Sequence, residues 1–265
     1  MIRKSRNILS LLLVLTTVIC CFPSINVNAK HNEGVFCEKV LYSFNGKKTP
    51  DVLQQKLERH DVALKEDTKV KIVQLEDNSD ATALVITNKE DEMLIQDVIL
   101  DFGDDGEVQP INVGLESAGA STRAGSTVTQ PSNASYSIKA TAVYNQKIDN
   151  NLLSSYFQPV GAYFFYYNTG SSTVSYIKIQ YETVGYLYSY NSSTGATAKL
   201  SDTQTEYVIP VEKSSPATST MYQTVKTMSS DRVIWTGTGL NSGLYMQFQY
   251  VVNGSTRTTA VAITP

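Results

Sequence analysis

Histidine is nearly absent from this 265-residue chain, which holds only His31 and His60. Neither falls beyond residue 114, so the C-terminal half cannot by itself assemble a Ser-His-acid or Cys-His site, or a histidine-rich zinc site. Cysteine is almost as scarce, at Cys20, Cys21 and Cys37. If the first two leave with an export signal, Cys37 is a lone thiol and no intramolecular disulfide can form. Val35, Phe36, Val40 and Leu41 surround Cys37 with strand-like apolar residues. No pattern there would orient His60 toward it, so the thiol reads as buried and inert. Excess basic charge is missing too. The formal charge is −3 and becomes more negative once Arg3, Lys4 and Arg6 are lost, which argues against a nucleic-acid partner.

Long apolar runs are also lacking. The longest, residues 8–19, is broken by Ser10, Thr16 and Thr17, and it falls short of the roughly 20 residues a spanning helix needs. Its setting is that of a secretory signal: Arg3, Lys4 and Arg6 precede it, Pro23 ends it, and Val27-Asn28-Ala29 presents small or modest side chains before a cut after Ala29. Ile19 stands ahead of Cys20 where a lipidated cysteine normally follows small residues. Residues 260–265 carry no hydrophobic tail. The expected product starts at Lys30, is secreted to the extracellular space and keeps no stable membrane anchor. Cysteine avoidance in an exported chain points to a Gram-positive bacterium. The sequons at Asn133, Asn191 and Asn253 then read as turn residues.

What is present divides in two. Residues 30–124 hold 19 acidic against 11 basic residues, residues 125–265 hold 6 against 8, and 15 of the 16 tyrosines fall in the second part. Such a step in charge and aromatic content marks two modules. Between them the chain is nearly free of large apolar residues and cannot offset its ordering entropy by burial. The expected organisation is a signal peptide at 1–29, an acidic α+β module at 30–113, a flexible Ser/Thr/Ala/Gly linker at 114–134 and a tyrosine-rich module at 135–265.

In the acidic module, Thr49-Pro50-Asp51 reads as a helix start with Thr49 as cap and Pro50 at the first helical position. Leu53, Leu57 and Leu64 recur on one face, and His60 shares it. Apolar stretches at 69–75, 81–87 and 93–102 follow, giving an antiparallel meander. In the second module, residues alternate at 136–144, 177–181 and 244–252, and Asn253-Gly254 is a type I′ hairpin signal. Seven to nine short strands are expected. The predicted fold class is therefore mainly β: a small α+β module followed by an antiparallel β-sandwich, with a small barrel as the competing topology.

Catalytic chemistry finds little support. His60 on the helix stripe reads as a satisfied core-edge histidine. The run from Asp101 to Glu107 resembles a calcium loop, but Gly103 and Asn112 stand where two ligands are required, so a tight acidic turn is expected and no metal or other cofactor. Of the six acids beyond residue 125, Glu182 is the first to inspect for glycoside hydrolysis. The tyrosines carry the expectation instead. Tyr186, Tyr188 and Tyr190 share one face of any strand that contains them, and together with Tyr181 they are the candidate ligand-binding residues. A phenol offers an apolar face and a polar tip, which suits a sugar ring or a protein surface. Cross-strand tyrosine ladders also stabilise sheets, the plainer role. The expected function is a secreted, non-catalytic protein that binds an extracellular glycan or protein. Two others compete: a precursor cut near Arg123 to release a β-rich effector, and a glycan-acting enzyme with an unfamiliar site.

Overall fold

Apolar and polar residues that alternate in an extended backbone sort onto opposite faces, and this pattern governs most of the chain. The computed structural model describes residues 38–75, 80–111, 135–149, 154–170, 172–236 and 242–263. The expected signal with Ala29, His31, Cys37 and the linker with Arg123 all lie outside them. The elements run β1 (Lys39–Asn45), α1 (Asp51–Arg59), β2 (Lys69–Gln74), β3 (Thr82–Glu90), β4 (Met93–Phe102), β5 (Tyr136–Ile148) and β6 (Ser155–Asn168). They continue with β7 (Val174–Asn191), β8 (Ala196–Ser214), β9 (Met221–Val225), β10 (Arg232–Trp235), β11 (Gly243–Val252) and β12 (Ser255–Ala262). The protein is mainly β, with a large antiparallel sheet.

The order within that sheet is β1-β2-β3-β4-β5-β6-β10-β7-β11-β12, with β8 paired to β7 and β9 to β6. The three predicted stretches become β2, β3 and β4. The helix differs in its start: Pro50 takes the cap position rather than the first turn, and Thr49 instead donates its hydroxyl to the Gly46 carbonyl at 2.7 Å. Leu53 and Leu57 are buried, while Leu64 lies past the helix end and is only partly covered. Ten rungs between β4 and β5, from Met93↔Asn145 to Phe102↔Tyr136, tie the acidic stretch to the tyrosine-rich one. Cys37–Pro265 form one compact unit, so the step in composition is not a break in the sheet. Composition reports surface chemistry; hydrogen-bonded pairing does not depend on it. The strands after residue 135 also differ from the short ones expected, since β7 and β8 span 18 and 19 residues.

Two apolar cores follow from the period of two. On one face, Leu53 and Leu57 of α1 meet Val70, Ile72, Leu84, Ile86 and Ile99. On the other, Val98, Leu100 and Phe102 join Tyr136, Tyr144, Tyr181, Phe248 and Tyr250. Strands far apart in ladder order share this larger core. Phe102 of β4 packs edge-on to Tyr250 of β11 at 4.8 Å between ring centres, and Tyr144 of β5 stacks on Tyr181 of β7 at 6.1 Å. Because β3 is covered on both faces, it reads as a continuous apolar run instead of an alternating one.

One glycine is required by close approach. Along one edge of β7 the partner is β11 as far as Val184↔Gly243, and then β10 from Tyr186↔Trp235. At Gly185, between the two, a Cβ would sit 2.3 Å from the Trp235 carbonyl oxygen. Only a residue without Cβ lets the neighbour change there.

Candidate functional site

The far half of β7 carries the predicted aromatic surface. Tyr186, Tyr188 and Tyr190 lie on one face, each half-buried. Trp235 of β10 lies opposite Tyr186 in register, with ring centres 6.3 Å apart. From β8, the Lys199 ammonium sits 4.4 Å from the centre of the Tyr186 ring. Tyr188 meets the buried Tyr156 edge-on at 5.1 Å. The Lys147 ammonium lies 5.7 Å from the Tyr190 ring centre and pairs with Glu92. Cations over ring faces are attracted by the ring quadrupole, so the two lysines help hold Tyr186 and Tyr190 in place.

Tyr181 does not join them. It sits an odd number of residues from the other three and faces the larger core, at 0% exposure. Burial raises its phenol pKa well above the ordinary value. The other crowded tyrosines divide by the same rule: Tyr166 is buried, whereas Tyr163 and Tyr167 line up with Phe165 on the opposite face of β6.

Behind the β7 surface lies an anchor that the sequence did not reveal. Asp149, 1% exposed, accepts hydrogen bonds from the Thr197 amide at 2.8 Å and its hydroxyl at 2.6 Å. The Thr197 hydroxyl also lies 3.1 Å from that of Tyr156. These contacts clamp the β7–β8 hairpin near its tip, where Thr197 pairs with Tyr190, to the β5–β6 end. A lone acid after a strand carries no such message, because Thr197 comes from 48 residues away.

His60 heads a second constellation, between α1 and the sheet. Its Nδ1 bonds the Lys56 carbonyl at 2.8 Å and its Nε2 bonds the Ser137 hydroxyl at 2.8 Å. The carbonyl can only accept, so Nδ1 carries the proton and Nε2 accepts from Ser137. That is the polarity of a serine–histidine pair, yet a backbone carbonyl orients the ring where a carboxylate would, and both residues are over nine-tenths buried. Burial lowers the imidazole pKa to about 4, with the charges of Lys56, Lys139 and Arg59 acting the same way and the Lys56 backbone bond opposing them. Beside it, Lys139 donates to the His60 carbonyl and covers the Phe165 ring at 4.9 Å. Asp97 accepts from Thr141 at 2.5 Å, and burial raises its carboxyl pKa. The arrangement fastens the helix to the sheet, the role expected of a satisfied histidine.

No family model, curated protein or solved structure matches this chain.

The remaining candidates are committed to structure. Asp101 is buried in β4 and pairs with Lys56. The turn after it is a tight acidic one, with Gly103 N–H bonded to the Glu107 carbonyl at 3.0 Å and Gly106 at φ +82°. Arg257 binds the Asp105 carbonyl at 3.0 Å and the Glu107 carboxylate, while Ser172 and Asn253 hold the Asp104 carbonyl. Among the described residues, no group of three or more His, Cys, Asp or Glu could hold a metal ion. Glu182 is 2% exposed within β7. No helix among those residues is long and apolar enough to cross a membrane.

Proposed function

We propose that this chain is a secreted, non-catalytic binding or surface-interaction protein whose contact surface is the tyrosine face of β7. In this reading a signal is cut after Ala29, the acidic α+β part precedes a β-sandwich, and the partner is an extracellular glycan or protein. One observation carries it: Tyr186, Tyr188 and Tyr190 stand side by side on one face and keep part of each ring in water. Aromatic rings backed by a fixed scaffold contribute contact area at small entropic cost, because they have few rotatable bonds left to lose. Their supports are lysines, Trp235 and a buried aspartate network, which leave each of the three residues half-exposed.

The test uses the full mature chain on glycan arrays and against cross-linked cell-surface proteins. Retention that disappears when Tyr186, Tyr188 and Tyr190 are all replaced by Ser supports the reading. It falls if nothing is retained, or if the triple variant is retained as well as the parent.

A further inference from the structure

Where β7 turns into β8, the hairpin tip comes close to the β3–β4 turn and the end of β5. These elements enclose an open cavity of about 320 Å³, lined in part by Lys89, Asp91, Glu92, Tyr190, Ser192 and Ser193. A wider depression of about 580 Å³ runs along the same hairpin past Thr197. Tyr190 and Ser192 line both, so the two depressions meet at these residues. The two volumes fall within the range of about 300–1,000 Å³ usual for small-molecule sites.

The chemistry of the lining selects among ligands. Carboxylates, an ammonium group and hydroxyls crowd around one half-exposed phenol. A hydroxyl-rich ring needs donors and acceptors close together, plus a flat apolar surface for its C–H face. A lipid chain would strip water from Asp91 and Glu92 without replacing their hydrogen bonds. A polyanion would gain no net attraction, because Lys89 and Lys147 only balance Asp91 and Glu92. A neutral sugar meets neither objection.

The walls are also held before any ligand arrives. Asn191 Oδ1 accepts from the amides of Ser193 at 2.9 Å and Thr194 at 3.2 Å, which sets the hairpin tip. The Lys147–Glu92 pair ties the β3–β4 turn to β5, and Asp149 holds Thr197. Asp91 turns the chain at φ +54°.

We propose that these joined depressions bind a neutral oligosaccharide, with one sugar ring stacked on Tyr190 and the hydroxyls of the ring in the smaller cavity bonded by Asp91 and Ser193. The assignment rests on the tyrosine-face reading and gives that surface a ligand class.

The experiment titrates the full mature chain with cellohexaose, chitohexaose and maltohexaose, by calorimetry and saturation-transfer NMR. At least one should saturate the protein. Tyr190→Ala should weaken that binding about tenfold, as loss of a stacked ring does. Asp91→Asn should weaken it about threefold and leave the fold intact, because Asn tolerates positive φ. Tyr176→Ala, far down the same face, should leave it unchanged. Thermal unfolding of each variant separates lost binding from lost structure. The inference is overturned if no hexasaccharide saturates the chain, or if Asp91→Asn and a folded Tyr190→Ala both bind like the parent. Binding lost with Tyr186→Ala or Tyr188→Ala alone would overturn the cavity assignment and leave the tyrosine-face reading standing.

Discussion

The two faces of β5 are buried to a similar degree by opposite means. Toward the larger core, Tyr136 and Tyr144 lie among rings, and their hydroxyls have no hydrogen-bond partner among the described residues. Toward α1, Ser137, Lys139 and Thr141 bond His60 or Asp97. The first face relies on apolar area and tolerates unmet polar atoms. The second brings charged and polar groups out of water and depends on their bonds to offset that cost. One strand thus shows that burial alone does not reveal what a residue contributes.

The largest effect that would break this comparison is expected at Tyr144. It is fully buried, stacked on Tyr181 and edge-on to Phe157 at 5.3 Å. Tyr144→Ala should cost about 4 kcal/mol in denaturant unfolding, as large-to-small aromatic changes in cores do. A loss below about 1 kcal/mol would mean the larger core is loosely packed.

Acid probes the other face. His60 stays neutral in the native state down to about pH 4, whereas in the unfolded chain it takes up a proton near 6.5. Between those values the unfolded state binds more protons, so stability is complete above pH 6.5 and falls as the pH drops toward 4. The contribution is on the order of 3 kcal/mol for a shift of this size. Asp97, with its pKa raised, acts in the opposite sense: it contributes stability at low pH that fades as pH rises above its unfolded value. His60→Gln should flatten the decline between pH 6.5 and 4 in urea titrations. An unchanged slope would assign the acid sensitivity elsewhere.

The smallest effect is the sharpest, because deletion of one hydroxyl should have opposite signs on the two faces. Ser137→Ala leaves His60 Nε2 unpaired and should destabilise by about 1–2 kcal/mol. Tyr144→Phe removes a buried hydroxyl that has no partner among the described residues and should be neutral or stabilising by about 1 kcal/mol. Melting curves of both variants in one buffer decide it. The same sign for both would erase the distinction between the faces.

Much of this architecture was legible in the sequence wherever one rule acted locally. Alternation located β5, β7 and β11, and Asn253-Gly254 placed its hairpin, with both residues at positive φ. The same rule put Tyr186, Tyr188 and Tyr190 on one face and, followed one step further, would have sent Tyr181 to the other. What escaped was pairing at a distance. Nothing around Phe102 and Tyr136 announces that their strands run side by side across the compositional step. The partners of His60 and Asp149 likewise come from strands remote in sequence, and no local pattern encodes such meetings. Trp235 was missed for another reason: β10 has only four residues, too few to show a period.

The change of neighbour at Gly185 has a consequence for how this surface can vary. Before that point β7 is wedged between β11 and β8 within the larger core; past it, the chain is bordered by the short β10 and by β8. Tyr186, Tyr188 and Tyr190 stand entirely on the later portion. Side chains there can be exchanged while the earlier portion keeps the molecule folded, so a single backbone residue lets one end of a strand vary without disturbing the other.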